Sequence, residues 1–317
     1  MTPEKILNFM GQRKIAAVFS ILLLVGSIVS LTVQGLNFGL DFTGGTQLEY
    51  KYETAADLNA IRATLEEAGY TGAVVVNYGS DTNVLMSLQQ SVPPSADPSK
   101  PQEIVSIGEV VLELLESKSS EEIELLRTDV VGAQVGEELA NSGGMGMLLA
   151  LAVVMAYVAV RFQFKFSVGA VAALIHDVVI VLGVFSFFQL TFDLTVLAAV
   201  LAVIGYSLND TIVVADRIRE NFRLIRKGDS EEVINISLTQ TLGRTMITSL
   251  TTLLVLLALF FVGGEMIHNF ALALIVGVVI GTYSSIYVSA NILMAMHIDR
   301  EDLIPVVKEG EELDELP

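Results

Sequence analysis

Leu194-Thr-Val-Leu-Ala-Ala-Val-Leu-Ala-Val-Ile-Gly-Tyr-Ser-Leu-Asn-Asp-Thr-Ile-Val-Val-Ala215 is apolar along almost its whole length and carries one carboxylate, Asp210. At about 1.5 Å per residue the run is long enough to cross the roughly 30 Å hydrocarbon core of a bilayer. A carboxylate near the middle of such a span costs about 2.5–3.5 kcal/mol on insertion scales, so residues of this kind face a protein interior and mark ion or proton pathways. Asp210 is therefore the candidate proton-carrying acid.

Five more apolar runs surround it: Ile15–Val33, Met145–Val160, Val168–Phe188, Met246–Val262 and Phe270–Met294. With 52% hydrophobic and 17% charged residues and a mean hydropathy of +0.62, the chain reads as an α-helical polytopic membrane protein with six transmembrane helices. The first run follows Lys5, Arg13 and Lys14 as a signal peptide would. Its apolar core is too long for one, and no small-x-small cleavage pattern follows, so it is expected to stay as an anchor.

Basic residues orient the spans. Lys5, Arg13 and Lys14 place the N-terminus in the cytoplasm; Arg161 and Lys165, then Arg217, Arg219, Arg223, Arg226 and Lys227, agree, and the remaining connections, 189–193 and 263–269, hold no Lys or Arg. Both termini are expected inside. The expected divisions are a cytoplasmic N-terminus (1–14), a first transmembrane helix (15–33), an extracytoplasmic domain (34–142), a five-helix bundle (143–297) and an acidic cytoplasmic tail (298–317).

The net charge of −18 is concentrated in two places. Residues 34–142 hold 18 acids against 5 bases, and residues 299–317 hold 8 against 2. Nucleic acid is excluded as a partner on this charge. With no cysteine and three scattered histidines, neither a disulfide, a thiolate nucleophile nor a zinc site is expected. Gly143-Gly-Met-Gly146 is not followed by Gly-Lys-Ser/Thr and is not a phosphate loop. No enzyme chemistry and no cofactor other than protons as coupling ion are expected.

In the outer segment, Thr46–Tyr52 alternates like a strand, and Asp57–Ala68 sets Leu58, Ile61 and Leu65 on one helical face. Strand-like runs follow at Ala73–Tyr78 and Val84–Leu88; after a proline-rich linker (91–101) come a helix, Ile104–Glu116, and a strand, Glu122–Val131. The order βαββαβ predicts an α+β ferredoxin-like domain.

Other polar groups punctuate the spans. Arg244 follows Gly243 at the expected start of the fifth helix, and shares a face with Thr248 and with Thr251 or Thr252 at helical spacing. Taken alone, Arg244 suits either headgroup snorkelling or a role inside the bundle. Tyr206 shares a face with Asp210. Asp216, rotated about 120° from Asp210, reads as an interface charge near Arg219. His176 and Asp177, adjacent near the middle of the third span, suit a pathway or a polar pair that joins helices. Gly277 and Gly281, with Ser284, Ser285 and Ser289 beyond, read mainly as close helix packing.

Two stretches carry a family resemblance. Phe38-Gly-Leu-Asp-Phe-Thr-Gly-Gly-Thr46 resembles the signature of the SecD and SecF proteins of bacterial protein export. Gly205-Tyr-Ser-Leu-Asn-Asp-Thr-Ile-Val-Val-Ala-Asp-Arg-Ile-Arg-Glu-Asn-Phe222 resembles SecF in particular. On these motifs Asp41, Gly44, Gly45, Gly205, Tyr206 and Asn209 are family positions, and the family's functional acid and base fall on Asp210 and Arg244. The resemblance implies an inner-membrane subunit paired with a SecD-like protein in a twelve-helix core similar to that of resistance-nodulation-division exporters. It further implies work with the SecYEG channel, SecA, YajC and YidC on exported polypeptides, drawing on the proton-motive force at a late, outer-face stage. A carboxylate in apolar surroundings holds its proton tightly, and one beside a guanidinium holds it loosely. The expected mechanism moves Arg244 toward and away from Asp210, with Thr248, His176 and Asp177 as further pathway candidates. The competing readings are a small-molecule or lipid exporter half-unit and a non-transporting assembly scaffold.

Overall fold

A computed structural model of the protein describes residues 6–89, 107–119, 122–225 and 228–299. The linker 91–101, the start of the second outer helix predicted from Ile104, and nearly all of the acidic tail lie outside these residues. Among the described residues six helices are long and apolar enough to cross a membrane. They are α1 (Arg13–Val33, continuous with a 3-10 turn at Met10–Gln12), α5 (Ala133–Arg161), α6 (Phe164–Phe187), α7 (Leu194–Leu224), α8 (Ser230–Val262) and α9 (Glu265–Ala295).

Sequence dictates where several of them start. The Asp193 carboxylate accepts a hydrogen bond from the Val196 amide at 2.8 Å, and the Asp229 carboxylate accepts one from the Glu232 amide, also at 2.8 Å. Each satisfies a donor that the first helical turn leaves open. Helices α6, α7 and α9 form the inner layer, whereas α1, α5 and α8 turn most of their apolar surface outward. Small residues let the backbones close. A Cβ at Gly277 of α9 would lie 2.1 Å from Val203 of α7, and one at Gly183 of α6 would lie 2.2 Å from Ser27 of α1. Both pairs follow the small-residue rule for helices that meet without a hydrophobic driving force between them.

Three boundaries differ from the sequence expectation. Helix α5 is already helical at Ala133, well before residue 143, because its polar first turns pack on the short helix α2 (Leu40–Thr43) instead of in hydrocarbon. Helix α7 runs on to Leu224, so Arg217, Arg219 and Arg223 ride on the helix. Helix α8 begins at Ser230, which places Gly243 and Arg244 in mid-helix. Its first turns are an amphipathic segment that buries Val233, Ile234 and Leu238 against α7, and hydropathy alone ends where those charged and amide residues begin.

The outer domain follows the predicted order. Strand β2 (Gly45–Tyr52), helix α3 (Leu58–Glu67), strands β3 (Val74–Tyr78) and β4 (Ser80–Leu88), helix α4 (Ile107–Lys118) and strand β5 (Ile123–Val131) build an antiparallel sheet ordered β3-β4-β2-β5. This is the interleaved split β-α-β arrangement of ferredoxin-like domains. Alternation along β2 and β4 sends Leu48, Tyr50, Val84, Met86 and Leu88 into one core with Ile61 and Leu65 of α3 and Val111 and Leu115 of α4. A separate two-residue parallel pair joins β1 (Asn37–Phe38) to β6 (Thr191–Phe192), at the foot of the outer domain.

Tyr50 is fully buried at the centre of this core, and its hydroxyl donates to the Gly108 carbonyl at 2.7 Å. Burial, with smaller contributions from Tyr52 and Tyr70, pushes its phenol well above the usual tyrosine range. The folded domain therefore keeps a proton that the unfolded chain releases near pH 10, and stability is lost as pH rises above that value. Melting of the full chain in detergent should show this alkaline loss. Tyr50→Phe should cost about 1 kcal/mol at neutral pH and flatten the loss above about pH 10.

Candidate functional site

The 3.6-residue period of α7 places Ser207, Asp210 and Thr211 on its inner face, toward α9 and α8. Asp210 is 9% exposed. Its Oδ1 accepts a hydrogen bond from Thr245 Oγ1 of α8 at 2.7 Å, and its Oδ2 accepts one from Ser285 Oγ of α9 at 2.5 Å. Three helices thus meet on one carboxylate.

A second buried acid lies one layer away. Asp177 of α6 is fully buried, and its Oδ1 meets His176 Nδ1 at 2.9 Å. Its Oδ2 accepts from Ser207 Oγ of α7 and from Ser284 Oγ of α9, the latter at 2.7 Å. With Asp177 ionised, the imidazole carries its proton on Nδ1. His176 Nε2 is buried and has no hydrogen-bond partner. Adjacent helical residues point about 100° apart, so Ser284 serves Asp177 while Ser285 serves Asp210. Likewise Ser207 and Asp210 lie one turn apart on α7. The two carboxylates therefore share both α7 and α9.

Hydroxyl groups extend the seam toward the outer domain. Tyr206 OH donates to Ser249 Oγ at 3.2 Å, and Ser249 Oγ lies 2.6 Å from Thr282 Oγ1. At the opposite end of the bundle, Asp216 is paired with Arg219 at 3.3 Å and with Arg161 of α5 at 3.6 Å. That agrees with its reading as an interface charge. A cleft of about 390 Å³ opens there, lined by Asp216, Arg217, Glu220, Gln240, Thr241 and Arg244, together with Val213.

The structure rearranges the polar stripe of α8. Arg244 is exposed, lines this cleft and makes no ion pair with Asp210. Thr248 is exposed as well, and its hydroxyl returns to the Arg244 and Thr245 carbonyls at 3.0 Å each. The expected inward face Arg244-Thr248 is in fact the outward one. The inward face is Thr241, Thr245 and Ser249, one helical position on. On α7, Gly205 and Asn209 also face outward, whereas Tyr206 is half-buried. Asp41, Gly44 and Gly45 lie away from the seam, at the foot of the outer domain.

Sequence reasoning singled out the acid but missed most of its partners. Thr245, Ser249 and Thr282 carried no distinguishing signal among neighbouring threonines and serines. Ser284 and Ser285 were visible only as small residues beyond a glycine pair.

Comparison with known proteins identifies the family. Residues 110–299 match the family described as protein export membrane protein SecD/SecF, C-terminal, and residues 29–56 match the SecD/SecF GG motif. The protein translocase subunit SecF of Vibrio alginolyticus is 47% identical over 319 residues, covering 99% of this chain and 98% of its own. The SecF of Pseudomonas aeruginosa is 50% identical over 299 residues, covering 94% of each chain. The chain belongs to the SecD/SecF family, in its SecF branch.

The crystal structure of SecDF from Thermus thermophilus, described as a translocon-associated membrane protein, superposes with a TM-score of 0.78 at 38% identity over 93% of this chain. This chain spans 39% of the length of that one. A SecDF crystal structure in a super-membrane-facing form superposes with a TM-score of 0.69 at 39% identity over 92% of this chain and 39% of the other. Within the SecF branch, the GG motif covers the β1-α2-β2 stem, and the C-terminal match covers every helix that contributes to the Asp210 seam.

Removing either hydroxyl partner strands one buried oxygen of Asp210. Thr245→Val and Ser285→Ala should each destabilise the bundle by about 1–3 kcal/mol, read as a lower melting temperature in detergent. Thr248→Val, on the outward face, should leave it unchanged.

Proposed function

We propose that this chain is the SecF subunit of a Sec protein translocase, and that with a SecD-type partner it uses the proton-motive force to promote a late stage of polypeptide export. The observation that carries the reading is the position of Asp210: a carboxylate in mid-span, shielded from lipid and held jointly by α7, α8 and α9. An ionised carboxylate only accepts hydrogen bonds, whereas a protonated one also donates. Both hydroxyls now donate to Asp210, so taking up a proton forces at least one of them to turn and accept. Ser285 has a second acceptor for its proton in the Thr282 carbonyl at 3.0 Å, and we infer that the seat of α8 or α9 on α7 responds to the exchange. One charge crossing about 150 mV carries about 3.5 kcal/mol, enough to shift such a two-state seat decisively.

The outward face supports a partner chain. Arg244 and Thr248 on α8, and Gly205 and Asn209 on α7, are polar or small residues that hydrocarbon does not satisfy. A SecD-type subunit is the partner proposed to cover them, Arg244 then meeting Asp210 in another state of the cycle. The inner membrane is the proposed location, with both termini in the cytoplasm. The end of the bundle away from the outer domain carries Arg161, Lys165, Arg217, Arg219 and Arg223, as an inward-facing end does. SecYEG, SecA, YajC and YidC are proposed partners on the family resemblance. The chain works as a conformational machine with protons as its coupling ion, and no bond-making site or other cofactor is proposed.

A small-molecule exporter is less well supported. That reading calls for a ligand cavity in the outer domain, where the cleft lined by Tyr52, Asp57, Leu115 and Lys118 holds about 240 Å³, below the roughly 300 Å³ at which ligand pockets begin; a larger cleft, about 440 Å³ between α1 and α6, lies along the membrane spans.

Asp210→Asn keeps an acceptor and a donor at the seam but cannot exchange a proton. In vesicles, the complex should assemble with its SecD partner and lose about tenfold or more of the export increment that the proton-motive force adds. An undiminished increment would refute the proton role.

A further inference from the structure

The foot of the outer domain is fastened to the helix that bears Asp210. Helix α7 starts with open amide donors, and two carboxylates fill them from different parts of the chain. Asp193 is the local cap. The other is Asp41 of α2, whose Oδ2 accepts the Leu194 amide at 3.0 Å across 153 positions of sequence. A carboxylate suits this place because the amino end of a helix carries partial positive charge.

The surroundings make the contact a joint. Strand β1 pairs in parallel with β6, Asn37 opposite Thr191 and Phe38 opposite Phe192, and the Gly39 amide donates to the Phe192 carbonyl at 2.9 Å. A Cβ on Gly39 would come within 3.2 Å of the Asp193 and Thr191 side chains, so the approach is tight. The Asn37 side-chain amide donates to the Gln189 carbonyl at 3.0 Å. Phe42 stacks on Phe192 with centroids 6.0 Å apart, and Phe38 meets both rings edge-on. From the other side, α5 approaches so closely that a Cβ on Gly136 would lie 2.7 Å from the Gly44 nitrogen.

The connection from this joint to the sheet is short. One residue, Gly44, separates α2 from strand β2, which begins at Gly45 and is paired on both sides from Thr46. Gly45 has φ of +143°, and a Cβ there would lie 2.3 Å from the Leu88 carbonyl oxygen. Its backbone is thus wedged against β4. At the other end of the joint, α7 runs from Leu194 to Asp210 without a break, about 24 Å at about 1.5 Å per residue.

We propose that Asp41 is a positioning residue that couples the outer domain to α7, so that displacement of the Asp210-bearing helix is delivered to β2 through the carboxylate held on its first turn. The proposal rests on the proton role assigned to Asp210 for its source of displacement, but the joint is tested separately. The polar pairing at Asn37–Thr191 positions the stem, and Asp41 supplies the link that loads it.

The chain has no cysteine, which permits a clean test in the assembled complex. Asp41→Ala should lower the export increment that the proton-motive force adds by roughly fivefold, the effect of losing one helix-cap hydrogen bond on a two-state equilibrium. The rate without the force should stay at its native level, which a merely structural defect would lower too. A disulfide between Asn37→Cys and Thr191→Cys, placed on facing residues of paired strands, should restore the increment in the Asp41→Ala chain, and reductant should remove it again. If Asp41→Ala does not assemble, Asp41→Ser takes its place in the same comparison. A native increment in the variant overturns the proposal, and so does a loss that the disulfide fails to restore. Failure of the proton reading looks different: Asp210→Asn then exports normally, while the Asp41 variants still respond to the disulfide.

Discussion

A carboxylate in the middle of a membrane has to be solvated by its own protein, and the arrangement of the bundle follows from that requirement. Asp210 is served by one hydroxyl from α8 and one from α9. The α9 donor, Ser285, stands on a helix whose backbone approaches α7 closely, at Gly277 against Val203 and at Gly281 against Ser207. Small residues and hydroxyls are thus two parts of one solution. The first brings the helices near enough for the second to replace water.

Asp177 shows what the same chemistry looks like when nothing has to change. It has three donors, lies at full burial and sits between helices of the inner layer. Asp210 has two donors, and one comes from α8, a helix of the outer layer most of whose residues beyond Thr245 are exposed, Ser249 and Leu256 being buried. Taking a proton at Asp177 would disturb an imidazole and two hydroxyls at once. At Asp210 it disturbs a single seam. The difference makes Asp177 suited to fixing α6, α7 and α9 as a unit and, on the proton role proposed above, Asp210 suited to switching, although both acids stand in mid-span.

The fold was largely legible because its signals are periodic and additive. Six apolar runs gave six helices, and alternating strands separated by helical segments gave the outer domain's order. The site was legible only as far as Asp210 itself. Rotational phase was the obstacle on α8: a stripe of Arg244, Thr248 and Thr251 reads as an inward face if polarity points to protein. In a subunit whose outward face is proposed to meet another chain, polarity points both ways. Thr245, one position from Arg244, differs from Thr248 in nothing a single sequence displays. The helix start was hidden for a related reason, since the turns from Ser230 to Gly243 are amphipathic and precede the apolar run, with Val233, Ile234 and Leu238 buried against α7.

Coupling between a membrane motor and a soluble domain depends on stiffness at the crossing. Here the two strands that reach the bundle, β2 and β5, are neighbours in the sheet. One meets α2 through Gly44, and the other meets α5 through the single residue Gly132. Because α2 and α5 also pack on each other, the domain stands on a pair of braced feet, not on a tether. A tether would let thermal motion absorb a displacement of an ångström or two. Under the coupling proposed above, a braced foot capped onto α7 by Asp41 passes the same displacement on to β2.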